Sequence, residues 1–284
     1  MLSWIALRII LSFVQIISDH SVQKYMANEN ETANVREEVG EGRMMEEHPC
    51  YKVCQIPGKG VGVIASRDLA PGTLITRENP LLVLDPPSDR KTLLKTLGCD
   101  WCKVNMRAPP ELVRAQIQRM ILEKTVKRMK EDERDQFMGL TDKTATNSNT
   151  KSAWGVFLTN ALPMGNYTVL GIYPTVARIN HSCKPNAHHF YNEDDRTEEV
   201  WAMEPIRAGE EINISYIRTF CSKNFRQELL QDKFGFYCSC SVCSLTGERL
   251  LEDDKLRHEI DKLAQDFGMA KQDGKEDGLL RAIG

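Results

Sequence analysis

Apolar and polar positions change pattern several times along the chain, and each change predicts an element. Residues 1–18 (MLSWIALRIILSFVQIIS) are apolar but interrupted by Arg8 and Gln15, and they fall short of the run of about 20 residues that spans a bilayer. With no basic lead-in and no small-residue cleavage site, the stretch reads as a membrane-associating helix, a weak signal anchor or the product of a wrongly chosen start codon. Residues 20–48 have no apolar periodicity, which predicts a disordered acidic linker. From residue 58, GKGVGVIASRDLAPGTLITRENPLLVL carries short β-branched runs broken by Gly60, Gly62 and Pro71-Gly72, a strand–turn–strand pattern. Between residues 85 and 150 the period lengthens. Pro109-Pro110 introduces a helix with Val113, Ile117 and Met120/Ile121 on one face, and Met120, Met129 and Met138 suit ordinary packing. TDKTATNSNTKS (141–152) predicts a polar loop. From Trp154 to Tyr216 short strands are expected again, EVWAM and EEINISY flanking a turn at Pro205 to Gly209. Ile212, Ile214 and Tyr216 alternate onto one face. Finally, Leu256, Ile260, Leu263 and Phe267 follow helical spacing and predict one amphipathic closing helix. The coarse picture is a mostly β domain split by a helical insertion.

Composition narrows the function classes. The chain has 284 residues and a net charge of -3, enough length for a real core and no global positive field to draw it to nucleic acid. A zinc-dependent nucleic-acid binder would also need basic patches and helix-borne fingers. Acidic residues cluster between Glu29 and Glu47 and in NEDDRTEE (192–199). They read as a disordered lead-in and a solvated hairpin tip, or as a rim that attracts a basic peptide. Three of the nine cysteines fall within YCSCSVC (237–243). That spacing suits a metal in a reducing compartment better than a disulfide framework, which favours a cytoplasmic and/or nuclear location. Cys238, Cys240 and Cys243 lack the fourth ligand that a closed zinc site requires, and Cys183 and Cys221 both compete for the place. CDWC (99–102) offers only two thiols, to which Cys50 and Cys54 could add a pair for a second metal. His188 and His189 fall on opposite faces of an expected strand and receive no role.

Four segments then carry a resemblance. GKGVGV, INHSCKPN, GEEINISY and FGFYCSCSVC, in this order across residues 55–245, resemble the signature of SET-domain protein lysine methyltransferases. The nearest types are the SET-and-MYND proteins and their fungal counterparts with a helical insertion. The resemblance implies an α+β, mainly β fold: a SET-domain (β-clip) fold with a pseudoknot, a helical insertion and a zinc-binding post-SET segment. The implied boundaries are 1–48 for the N-terminus and linker and 49–217 for the SET domain, with the insertion at about 86–150. The post-SET segment would take 218–247, and a C-terminal helix and tail 248–284. It implies zinc on Cys183, Cys238, Cys240 and Cys243, and S-adenosyl-L-methionine near Lys59, Gly60, Asn160, Asn180, His181 and Phe236, with Phe236 as the stacking ring. Tyr216 becomes the catalytic residue, and Leu162, Tyr216 and Phe234 set the channel width. The implied partner is a protein or peptide with a target lysine, whose amine a narrow apolar channel would help deprotonate. The alternative is a catalytically silent, zinc-stapled interaction module; Tyr216, Asn180 and His181 favour the enzyme. Three departures stand out. Ala177 replaces a hydroxyl residue that relatives frequently carry, no MYND finger is legible, and the single closing helix would leave part of the substrate groove open.

Overall fold

The computed structural model describes residues 50–85, 90–107 and 109–272, so the apolar N-terminus and acidic linker lie outside the described residues. In chain order the strands are β1 (Tyr51–Ile56), β2 (Gly60–Ala65), β3 (Leu74–Glu78), β4 (Leu82–Leu84), β5 (Leu162–Met164), β6 (Asn166–Ile172), β7 (Asn180–His181), β8 (Ala187–Asn192), β9 (Thr197–Ala202) and β10 (Asn213–Ile214). The helices are α1 (Arg90–Leu97), α2 (Pro110–Arg128), α3 (Glu131–Met138), α4 (Ala153–Asn160), α5 (Lys223–Phe234) and α6 (Gly247–Gln272). The α+β class is as expected, with small sheets and with helices occupying more residues than strands. Among the described residues no helix is long and apolar enough to cross a membrane.

The chain forms two compact units that interleave in sequence. Among the described residues, one holds Cys50–Asn180 and His189–Ile212; the other holds His181–His188 and residues 213–272. In the first unit, β1 and β2 make an antiparallel hairpin with Ile56 opposite Gly60. Gly58 and Gly60 take φ of 74° and 75° at its tip, a region that residues with a Cβ avoid. Two three-stranded sheets follow, ordered β3-β9-β8 and β4-β6-β5.

The insertion packs its helices against β4 and β6. Pro110 stands at the first position of α2, where its missing N–H costs nothing. Val113, Ile117, Met120 and Ile121 pack with Leu82, Leu84, Phe137, Val156, Phe157 and Ile172, as do Met129 and Met138. The stretch after Trp154, expected as strand, is instead α4. Ser152 caps it by accepting from Gly155 N at 2.9 Å, and the helix buries Val156, Phe157 and Asn160 at 3.6-residue spacing. The loop before α4 is polar as expected but anchored: the buried Asp142 accepts from Thr144 N and from Ser152 N. The run NEDDRTEE is only partly a solvated tip. Glu198 and Glu199 are buried on β9, held by His189 Nδ1 at 2.6 Å and Arg77 Nε at 2.8 Å.

In the second unit EEINISY contributes a named strand only at Asn213–Ile214, yet Ile214 is buried, as is Ile212 in the first unit. Ser222 caps α5, and Gly235 ends it in the left-handed conformation, φ 77°. The closing helix α6 exists where predicted, but its expected face turns inward only in part: Ile260 is half-buried, and the side chain of Phe267 lies outside the described residues. Leu256 and Leu263 are more than half exposed, whereas Arg257 is buried. Arg257 Nε donates to Asp253 at 2.7 Å and its Nη1 to Thr219 O at 2.7 Å, and Arg218 pairs with Asp261. Arg257 with its partners Asp253 and Thr219 O, rather than Leu256 or Leu263, faces inward, while Leu250, like Ile260, is half-buried.

Candidate functional site

Four sulfurs meet in the second unit. The INHSCKPN loop supplies Cys183, and the turns after α5 supply Cys238, Cys240 and Cys243; their Sγ atoms all lie within 4.8 Å of one another. Cys243 and Cys183 approach to 3.5 Å. A tetrahedron with metal–sulfur bonds of about 2.3 Å has edges of about 3.8 Å, so the donor set and its spacing fit zinc. Cys221, the rival fourth ligand, stands outside the group and donates instead to Arg218 O at 3.5 Å.

Four thiolates cannot share this space unless a cation compensates them. Proton sharing with Cys238 pushes the Cys183 thiol far up and holds Cys238 far down, and Cys240 is held to about 5, chiefly by Cys183. A divalent ion replaces such protons on binding. The protein also fixes the cage from behind. Gln227 on α5 clamps Cys238 with two bonds of 2.7 Å, donating to its carbonyl and accepting from its N–H.

His181 ties the sulfurs to the tyrosine. Its Nδ1 accepts from Tyr216 N at 3.0 Å, so the proton sits on Nε2, which donates to Cys183 Sγ at 3.2 Å. The ring therefore serves the cage. Two further bonds lay the tyrosine segment along the INHSCKPN loop: Ser182 N to Ile214 O at 2.9 Å, and Asn213 N to Asn186 Oδ1 at 2.8 Å. Tyr216 itself lies among rings. Its centroid is 4.9 Å from Phe234, 5.4 Å from His181 and 6.4 Å from Phe236. Gly235, between the two phenylalanines, permits the turn that brings both to the tyrosine.

Other predicted residues gather in the first unit. Lys59 Nζ pairs with Glu211 Oε2 at 2.6 Å, and Asn180 Nδ2 donates to Glu211 Oε1 at 2.9 Å, while Gly60 follows at the hairpin tip. A Cβ on Gly62 would lie 2.4 Å from Ile56 Cγ1 and 2.6 Å from Asn180 Nδ2, so this glycine is required for close approach. Asn160 is buried, with Nδ2 donating to Thr141 O at 2.7 Å and Val156 O at 2.6 Å; both amide protons serve the chain. Leu162 is half-buried on β5, and Ala177 packs against the insertion core. Of the remaining thiols, Cys50 accepts from Arg67 at 3.2 Å and Cys102 is exposed. The side chain of Cys99 is outside the described residues. Sequence reasoning assigned no role to Glu211, Gly62, Gln227 or Arg226. The first two lie inside quoted motifs, GEEINISY and GKGVGV, and could have been found there. Gln227 and Arg226 sit in an unremarked helix.

The family profile described as the SET domain matches residues 60–217. The Schizosaccharomyces pombe protein named histone-lysine N-methyltransferase set5 is 32% identical over 208 residues, 73% of this chain and 54% of that protein. Human N-lysine methyltransferase SMYD2 is 37% identical over 93 residues, 33% of this chain and 20% of that one. The chain thus spans about half the length of the fission yeast relative and a fifth of the human one. Among solved structures, the SET domain of LSMT bound to lysine and AdoHcy is similar at 13% identity and a TM-score of 0.41, covering 76% of this chain and 57% of that one.

Proposed function

Because the chain belongs to the SET-domain family, we propose that it transfers methyl groups from S-adenosyl-L-methionine to lysine side chains of a protein. The observation that carries this reading is Tyr216, lodged among Phe234, Phe236 and His181 and hydrogen-bonded through His181 to the four-cysteine cage. The cofactor supplies a sulfonium methyl when bound; its proposed contacts are Phe236, Lys59, Gly60, Asn180 and the His181 backbone. Asn160 is retained with its Oδ1 alone, since its amide protons are taken. The chain's own part is to receive and orient the lysine amine. Aromatic walls withdraw that amine from water and lower its pKa from about 10.4, favouring the neutral nucleophile. The Tyr216 hydroxyl holds its lone pair in line, a contribution of positioning and fixed dipoles. Cys183, Cys238, Cys240 and Cys243 would hold a structural zinc, which supplies a cross-link and no chemical step.

The test pairs binding with transfer. Purified protein titrated with S-adenosyl-L-methionine in a calorimeter should bind it, and label from the methyl group should appear on a protein band of a cell lysate. Tyr216→Phe should cut transfer by about 10²–10³-fold while cofactor binding and helix content stay as in wild type. A wild-type protein with no cofactor binding, or equal transfer by the variant, would sink the reading.

A further inference from the structure

Arg226 is the largest side chain that the described residues bury completely, at 0% exposure in the first turn of α5. A guanidinium withdrawn from water costs several kcal/mol unless opposite charge and hydrogen bonds compensate it. Its oxygen partners do not suffice. Nη1 donates to Cys221 O, but Asp253 and Asp254 stand 3.7 Å away, beyond hydrogen-bond range. Both carboxylates are engaged elsewhere, Asp253 by Arg257 Nε at 2.7 Å and Asp254 by Lys223 N at 2.8 Å. Nε and Nη2 of Arg226 are buried with no hydrogen-bond partner.

The missing charge is in the cage. One turn on from Arg226, Leu230 packs directly with Cys183, Cys238 and Cys243, and the adjacent Gln227 clamps Cys238. Among the thiols, Cys183 and Cys243 are the ones whose charge acts on the guanidinium. Four thiolates around a divalent cation leave a net dianion, which in an apolar setting needs a cation as much as the guanidinium needs an anion. We propose that Arg226 is the counter-ion of the zinc–thiolate centre, and that through Asp253 and Asp254 it joins that centre to α6. Arg226 touches no reacting atom; it is a positioning residue for the metal. The inference rests on the zinc reading of the four cysteines.

The test uses the full chain. Metal analysis of wild type comes first, followed by chelator competition for zinc and cobalt substitution in Arg226→Met and Arg226→Lys. Wild type should carry stoichiometric zinc. Arg226→Met should bind it about 10–100-fold more weakly while its cobalt form keeps the absorption of a tetrahedral tetrathiolate, and Arg226→Lys should recover most of the affinity. Wild type without zinc would remove the zinc reading itself. Zinc in wild type, held equally tightly by Arg226→Met, would overturn the inference alone. Should Arg226→Met fail to fold, the doubly neutralised variant Asp253→Asn, Asp254→Asn decides the matter. With the guanidinium in place it should keep wild-type zinc affinity, while α6 amides exchange about tenfold faster. Zinc loss in that variant as large as expected for Arg226→Met would overturn the proposal, because helix packing, not the guanidinium, would then hold the metal.

Discussion

The apolar core beneath the insertion and the sulfur cage of the second unit are both buried, and they are stabilised by different means. The first is a broad set of Leu, Ile, Val and Phe side chains, with Phe137, Leu122 and Leu97 fully enclosed. Such a core shares its stabilisation among many contacts, so each member can be altered at a graded cost. The cage has four cysteines that could hold a metal ion, a buried arginine on the neighbouring α5 and a few hydrophobic neighbours. Its contribution is indivisible, since three thiolates do not close a tetrahedral site. The contrast teaches where tolerance to change should lie. The insertion can vary in sequence while it stays apolar; the cage cannot vary at all, and Tyr216, the residue we propose to orient the lysine amine, is tied to the cage through His181.

The largest expected effect breaks the indivisible part. Cys183→Ser removes the ligand that comes from far upstream, and a structural zinc contributes about 10–16 kcal/mol of apparent binding free energy. Metal analysis should find zinc lost, hydrogen exchange should show α6 unprotected, and methyl transfer should vanish. A variant that keeps its zinc and its activity would show that the cage is not the staple. Phe137→Ala should be smaller and of a different kind. It should lower stability by about 3–5 kcal/mol in denaturant titration, with zinc content unchanged. Zinc release on truncating Phe137 would erase the distinction between the two regions.

Legibility followed the same divide. The trio Cys238, Cys240 and Cys243 is legible in the letters because cysteines at close spacing have few other uses; spacing alone leaves Cys183 and Cys221 in competition, and it is the family resemblance that implies Cys183. The α2 face was legible because apolar periodicity is a direct record of burial. Where burial is achieved by charge, periodicity misled. Leu256 and Leu263 mark the outer side of α6, because Arg257, Asp253 and Asp261 pair with one another or with Arg218 and the Thr219 carbonyl on the inner side. Glu198 and Glu199 likewise read as solvated acids until His189, Arg77 and Trp201 appear beside them. α4 escaped notice for a local reason. Its Ser152 cap is a single side-chain bond, and the apolar letters that follow suit a strand equally well. Arg226 left no sequence signal, since one arginine in a charged helix looks like any other.

The smallest expected effect sharpens the comparison at the polar end of the first unit. Glu211 gathers Lys59 and Asn180 onto one carboxylate, but the side chains of Lys59 and Glu211 are 38% and 18% exposed. An ion pair with that much access to water is worth at most about 1 kcal/mol. Glu211→Gln keeps an amide oxygen for Asn180 and releases only the charge facing Lys59. Its denaturation midpoint should therefore lie close to wild type, and its zinc content should be unaltered. Cofactor affinity should fall only a few-fold, about the factor that 1 kcal/mol allows, as the Lys59 hairpin loses its tether. A salt titration makes the reading specific: the wild-type advantage should shrink as ionic strength rises and the exposed pair is screened. If Glu211→Gln instead lowered stability as much as Phe137→Ala, the pair would be behaving as a buried one. Charge would then be as indispensable in this unit as Arg226 is argued to be beside the sulfurs.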